Sequence, residues 1–470
     1  MKQYLSRAPF FGYAVFGLLI IRGFLNAVIP LMDKTEARYA EIARIMTETN
    51  NWITPQIDYG IPFWAKPPLS TWLSAMSFDA FGVNEFTARL PYFLLAITLV
   101  FLVGKYAKRE HLSFFLPGFI LLTLPEFFIH AGVVSTDTAL AFTVVLVMLS
   151  FWETLQDNSR FYWKYLIFVG FGLGLLAKGP IIFILTLPPL VFWCIYFKNY
   201  ISISKRIPWV LGGIITMAIA LPWYILAEQK TPGFIDYFIV GEHFKRFFDS
   251  NWTGDKYGFP KSQPLGMIWI FLLLLALPWI QVLLLKLWQN RINLLKNKWV
   301  VFLLLWLLWT PVFFTVSKSL IHPYIMPIMV PLALLITHWW KSIKQQKTLL
   351  RLSLLVPVSV VVIYAYGNIS NQLQFYSNTD KYFIANNTQF DSIYHFWRKS
   401  YSSKFYSKGT IKTITIDQML HIKPNESFSI IIFNRDLTKI PKEIKRNLLL
   451  LENNHNKGIY IYKKAKNNEY

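Results

Sequence analysis

Two uninterrupted apolar runs constrain this chain more than anything else in it: MIWIFLLLLALPWIQVLLL (267–285) and WVVFLLLWLLWTPVFF (299–314). Crossing a hydrocarbon core takes roughly twenty helical residues at about 1.5 Å rise, close to the length of each run. Of 470 residues, 54% are hydrophobic, 17% aromatic and 15% charged, more apolar surface than a water-soluble domain hides. The chain reads as an integral membrane protein whose helices satisfy their own backbone hydrogen bonds in lipid.

The net charge of +22 would suggest nucleic acid in a soluble protein. Here it reads as Lys and Arg in short loops on one side of the membrane, so no nucleic-acid partner is expected. Cys194 is the single cysteine, which excludes an internal disulfide and a Cys-based metal site. The N-terminal stretch MKQYLSRAPFFGYAVFGLLIIRGFLNAVIPL has a basic start and no small-residue cleavage site, so it is expected to stay as a first span that starts in the cytoplasm.

Loop charge sets the topology. The basic loops 105–111, 156–164, 198–206, 286–298 and 341–351 fall on one side if each span between them, at roughly 88–104, 112–130, 138–155, 164–178, 180–197, 207–227, 265–285, 299–316, 321–338 and 352–367, crosses once. The segment PPLSTWLSAMSFDAFG (67–82) breaks that parity, and its Pro pair and Asp79 mark it as a re-entrant or surface-lying helix. The expected architecture is an all-α polytopic membrane domain over residues 1–366, with outer-face loops at 32–87 and 228–264. The count is about 11–13 spans, because two further short crossings keep the same parity. From residue 367 the composition turns polar and short alternating runs appear, TITID, SFSIIIFN and GIYIYKK, predicting a small α/β domain over 367–470 on the outer face.

The same parity gathers ionisable residues at the outer rim, where each is costly unless it lines water or finds a partner. Asp33 precedes a predicted amphipathic helix with Tyr39, Ile42, Ala43 and Met46 on one face, a position that fits a helix cap and a site acid equally well. Arg38 and Glu41 lie on that helix. Lys66 stands between Trp64 and a Pro pair and needs either an anion or an escape to the interface. Asp137 opens a span in VVSTDTAL, again as cap or as site acid. GEHFKRFF carries His243 and Arg246, and VSKSLIHPYIMP carries Lys318, His322 and Tyr324. Carboxylates accept from sugar hydroxyls, and Lys or Arg neutralises phosphate, so the rim suits a ligand bearing both. A transporter would instead place its charges near mid-membrane at broken helices.

The order of these pieces is more specific than any one of them. D-x-x-x-x-RYAEIA, NWITPQI, a Lys-Pro pair and FGVNEFTARLP fall within the first ninety residues, and LLAKGP, GEHFKRF and KSLIHPYIMPIMVPLALL continue to about residue 335. Together they resemble the polyprenyl-phosphate-sugar-dependent glycosyltransferases of the GT-C class, which include the aminoarabinose lipid A transferases and, more distantly, the protein O-mannosyltransferases. The likeness does not extend to the C-terminal domain. It implies a multi-pass protein of the bacterial inner membrane, N-terminus cytoplasmic and C-terminus periplasmic, taking a sugar from a polyprenyl phosphate. The acceptor is lipid A or, alternatively, a hydroxyl on a protein or surface polysaccharide. The resemblance makes Asp33, Asp137 and Lys66 the catalytic candidates. Arg38, Glu41, Lys66, Arg246, Lys318 and Tyr324 become the substrate-binding ones. It also implies a zinc-like metal, with His243 and His322 as ligands, but Ala65 stands where those transferases often carry a metal-binding Glu.

Overall fold

The computed structural model describes residues 8–245, 254, 256–257, 263–389, 392–421 and 427–463. Every predicted span coincides with helix. By length and composition six helices suffice to cross a membrane: Pro9–Val28, Glu85–Arg109, Thr136–Thr154, Trp209–Lys230, His322–Ser342 and Gln346–Ile369. A seventh crossing comes from Met267–Leu275 and Trp279–Asn290 if that pair, bent by 102°, forms one span; the break falls at Pro278, which has no N–H for the helical ladder. Ile181–Tyr196 and Lys298–Phe314 are shorter apolar helices, and Trp163–Lys178 has 16 residues. The span expected at 112–130 is two helices, Leu116–Thr123 and Pro125–His130, because Leu124 before a proline turns extended. Close approach builds the bundle: a Cβ on Gly170 would lie 2.7 Å from the Val147 side chain on the neighbouring helix, the small-residue packing that membrane helices favour.

The segment 67–82 is the short helix Leu69–Phe81. The expected helix after the first span is Thr35–Thr49, closed by Asn50 in the left-handed region. Its N-cap position is held by Lys34 with no side-chain bond to the helix, so Asp33 is not its cap. Nor does this helix lie open on a surface. Ala37, Tyr39, Ile42, Ala43 and Met46 share one buried cluster with Phe78, Ala88, Tyr92 and Phe405 of the C-terminal region, and even Glu41 and Arg44 are buried. Arg89, from the motif FTARLP, fixes where this helix begins. Its guanidinium pairs with Glu36 at 2.7 Å and donates to the carbonyls of Asn26, Ile29 and Pro30 at the end of the first span.

The C-terminal region is an α/β domain, as its alternating runs predicted. After the hairpin β1 (Gln56–Asp58) and β2 (Ile61–Pro62), strands β3 (Ile393–Phe396), β4 (Lys412–Ile414), β5 (Ser427–Phe433), β6 (Leu448–Asn453) and β7 (Lys457–Lys463) form a mixed sheet. The order is β4-β3-β5-β7-β6, parallel at β3–β4 and β3–β5 and antiparallel elsewhere. The helix Tyr401–Tyr406 docks this domain on the membrane domain: Tyr406 accepts from the Leu31 amide at 2.7 Å, and Lys404 reaches Asp58 at 2.8 Å.

Candidate active site

At the end of the bundle that carries the C-terminal domain lies a cavity of about 380 Å³. Asp33, Lys34, Arg38, Lys66, Asp137, Lys178 and Glu242 supply its charge, and Tyr39, Tyr257, Tyr324 and Asn378 complete much of its lining. Two of its cations stand paired with carboxylates. Lys66 donates to Glu242 at 3.0 Å and to the Ala65 carbonyl at 2.5 Å, which meets the need for an anion that its sequence setting implied. Lys178 donates to Asp137 at 2.5 Å and lies 4.1 Å from the centre of the Tyr324 ring.

Local sequence explains these placements. Ser135 caps the helix Thr136–Thr154 by accepting from the Asp137 amide at 3.1 Å. Asp137 is therefore not the cap but a first-turn acid turned toward Lys178. Lys178 ends its helix, and Gly179 follows with φ +78° and Phe238 and His243 packed against it, so that a Cβ would lie 2.7 Å from the Phe238 ring. The Lys-Gly-Pro motif is thus a helix stop that presents an ammonium to the cavity.

Arg38 stands apart from the other cations. Among the described residues no carboxylate pairs with it. It lies over the rings of Tyr39, Phe63 and Tyr401, and its Nη1 faces the Tyr257 carbonyl at 3.5 Å. Among the described residues its buried Nε finds no acceptor. A guanidinium held flat by aromatics with an unused donor at a cavity is arranged to receive an anion.

Asp33 lines the cavity, yet its carboxylate is held by the C-terminal domain. Oδ1 accepts from the Ser402 amide at 2.9 Å, while Oδ2 accepts from the Ser402 hydroxyl at 2.6 Å and from Lys457 at 3.4 Å. Lys457, itself buried, also donates to buried Asp380 at 2.8 Å. Two carboxylate oxygens have about four acceptor sites, so three donors leave Asp33 one for a ligand. Burial raises the Asp33 carboxyl above its ordinary range in spite of Lys457.

Other expected members are elsewhere. Glu41 faces Arg44, its oxygens 2.7 and 2.9 Å from that guanidinium, inside the Thr35–Thr49 helix packing. It is a buried structural pair and not a cavity residue. Lys318 is exposed and absent from the lining, although Ser319, Leu320 and Ile321 beside it belong to it. Arg246 lies outside the described residues. His243 and His322 do not form a pair of metal ligands. Both ring nitrogens of His243 face carbonyl oxygens, of Phe238 at 2.8 Å and Lys178 at 3.2 Å, while His322 turns to Glu126 at 3.0 Å. With Ala65 in the Glu position as well, these residues do not fit the metal that the resemblance implies. The residues missed were Lys178, Glu242 and Asn378; the first two were visible as rim charges, but their pairing depends on contacts 41 and 176 residues apart in sequence.

Beside the polar cavity lies an apolar one of about 270 Å³, lined by Ile181, Ile184, Phe244, Phe313 and Phe314. The two share Lys66, Lys178, Glu242, Ser319 and Tyr324. A hydrocarbon slot therefore meets a charged chamber at two ammonium groups.

Fold and site together define a polytopic membrane protein in which a polar cavity and an apolar one meet beneath a small α/β domain. The chain shares its fold with ArnT from Cupriavidus metallidurans bound to undecaprenyl phosphate, at a TM-score of 0.76 and 16% identity over 97% of this chain and 98% of the other. The family described as dolichyl-phosphate-mannose-protein mannosyltransferase matches residues 30–238. Among curated relatives, the undecaprenyl phosphate-alpha-4-amino-4-deoxy-L-arabinose arabinosyl transferase of Shewanella sediminis is 29% identical over 66% of this chain and 55% of its own length. That of Photorhabdus laumondii is 30% identical over the same shares, 66% and 55%. The match thus spans about half the length of these relatives.

Proposed function

We propose that this chain is a membrane glycosyltransferase that moves a sugar, an amino sugar by analogy with the relatives' donor, from undecaprenyl phosphate to lipid A or a related lipopolysaccharide. The distribution of basic loops supports the periplasmic face of the bacterial inner membrane as the place of transfer. The observation that carries this reading is the junction of an apolar slot with a cationic chamber. That shape fits a lipid phosphate whose tail enters from the bilayer while its headgroup meets Lys66, Lys178 and Arg38.

In the reaction the bond between the sugar's anomeric carbon and the phosphate oxygen breaks. Positive charge grows on the sugar and negative charge on the leaving phosphate. Arg38, with its unused Nε, stabilises that phosphate, and Lys66 and Lys178 turn toward it from Glu242 and Asp137. Preorganised cations act most strongly on charge that develops in the transition state. Asp137 and the remaining acceptor site of Asp33 orient the sugar hydroxyls. A phosphate acceptor on lipid A arrives ionised and needs no base; a hydroxyl acceptor would need one, a task that the raised Asp33 carboxyl suits. The mannosyltransferase match over 30–238 supports this second reading, a protein or polysaccharide hydroxyl as acceptor.

The test is transfer by the purified full-length chain in lipid nanodiscs, with undecaprenyl phosphate-aminoarabinose and either lipid A or a hydroxyl-bearing glycan lipid, read by mass spectrometry. Mass gain at a lipid A phosphate supports the proposal. Labelling of the hydroxyl substrate alone replaces it with the second reading. Activity that undecaprenyl phosphate fails to inhibit, at concentrations where the prenol also fails, refutes the donor assignment.

A further inference from the structure

We propose that Glu126, His130 and His322 bind a divalent transition-metal ion of the zinc or cobalt kind, next to the substrate cavity but outside it. Glu126 is fully buried beside the Leu124 break, and among the described residues no Lys or Arg pairs with it. Its partners are two imidazoles. His130 Nδ1 stands 3.1 Å from Oε1 and also 3.1 Å from the Glu126 backbone carbonyl, which it would leave on binding an ion, and His322 Nδ1 stands 3.3 and 3.0 Å from Oε1 and Oε2. One ligand atom from each of the three residues lies within 4.8 Å of the others. A buried carboxylate without a full positive charge is costly. A metal supplies that charge without requiring either imidazole to be protonated.

The separations suit the ion. Metal–ligand bonds of about 2.0–2.1 Å at tetrahedral angles put neighbouring ligand atoms about 3.3–3.4 Å apart, near the spacings found around Glu126. Two His and one Glu are a zinc-type donor set that leaves a position for water. Glu126 and His130 are one helical turn apart, so a single short helix presets two ligands. His322 comes from the turn His322–Ile328, and its side chain is 47% exposed, giving the ion a way in.

The site's place suggests its use. Ile321 and Tyr324, on either side of His322, face the substrate cavity, while His322 itself turns the other way. A metal would pin this wall to the helix Pro125–His130, which leads into Ser135 and Asp137. This bracing stands whether or not the transfer reaction is as proposed.

The full-length chain, stripped with EDTA, would be loaded with Co²⁺ and desalted. One retained equivalent, with the intensified visible absorption of low-coordinate Co²⁺ and displacement by Zn²⁺, is expected. His322→Ala and Glu126→Gln should each lose it, whereas His243→Ala should keep it. Because His322 is half-exposed, its variant is expected to elute as a folded monodisperse species, and Zn²⁺ should raise the melting temperature of the wild type but not of this variant. Failure to retain Co²⁺, an unchanged spectrum and Zn²⁺ response in His322→Ala, or loss in His243→Ala instead, would overturn the site.

Discussion

Lys457→Met tests whether the C-terminal domain is held over the cavity by charge. The Lys457 ammonium lies 2.8 Å from Asp380 and 3.4 Å from Asp33, and all three side chains are nearly or fully buried. Met keeps most of the side chain's volume and removes only the cation. Two buried carboxylates then face each other across the domain junction, and removing one partner of a buried ion pair costs about 3–5 kcal/mol. At about 1.4 kcal/mol per factor of ten, the undocked population should rise by roughly two to nearly four powers of ten. Hydrogen exchange reads this directly, because undocking frees the Ser402 amide from Asp33 and uncovers the helix Thr35–Thr49. Acidification has a defined sign. Burial raises Asp33 above its ordinary value, so the docked state holds that proton more tightly than the undocked one, and docking gains as pH falls toward the ordinary carboxylate range. Asp380, depressed by Lys457, opposes this only in strong acid, below its unfolded value. Loss of Lys457 moves both carboxyls upward, so the variant's defect should shrink from pH 8 to 5. Adding Asp380→Asn should recover part of the protection. Exchange within about threefold of wild type, or no recovery in the double variant, would refute an electrostatic clamp.

Arg38→Lys keeps the charge but loses the planar fork, and should weaken undecaprenyl phosphate binding about 10- to 100-fold, the worth of a charge-assisted hydrogen bond of about 1.5–3 kcal/mol; calorimetry in nanodiscs checks it, with the prenol unaffected. Glu41→Gln should lower stability by about 1–3 kcal/mol through the weakened contact with buried Arg44, while turnover per folded molecule stays near wild type; a selective loss of turnover would return Glu41 to the site. Lys318→Ala, exposed and outside the cavity lining, should alter transfer by no more than about twofold, as surface changes stay within about 0.5 kcal/mol.

How much was legible depended on whether the governing contact was local. Helix positions followed from hydropathy because each span satisfies its own backbone, but the breaks at Pro125 and Pro278 inside two of them were not anticipated, since hydropathy averages over a proline. Asp33, Lys66, Asp137 and Arg38 reached one cavity because loop charge sorted them to one rim and motif order tied them together. Glu41 failed for a reason that sequence hides: the helix Thr35–Thr49 looks amphipathic, but the C-terminal domain covers its other side, and the acid is neutralised in place by Arg44. His322 was paired with His243, whereas its ring faces Glu126. Its partner had a signal, a lone acid in the apolar run LLTLPEFFIH with a His four residues on, the kind of intramembrane charge that rarely lacks a role.

The placement of Asp33 links the chain's two halves. Its carboxylate is bound by Ser402 and Lys457, while its amide donates to the Asn378 carbonyl and its own carbonyl accepts from the Asn378 side chain. Asn378 in turn lines the cavity. The α/β domain therefore does more than cover the site: it orients an acid of the membrane domain and contributes a polar group of its own. If the proposed sugar donor binds here, an acid already fixed by three donors loses little further freedom, which favours positioning over proton transfer. The same dependence explains why the C-terminal domain can depart in sequence from the resemblance: what the site asks of it is a few donors at one edge, and many sequences can supply those.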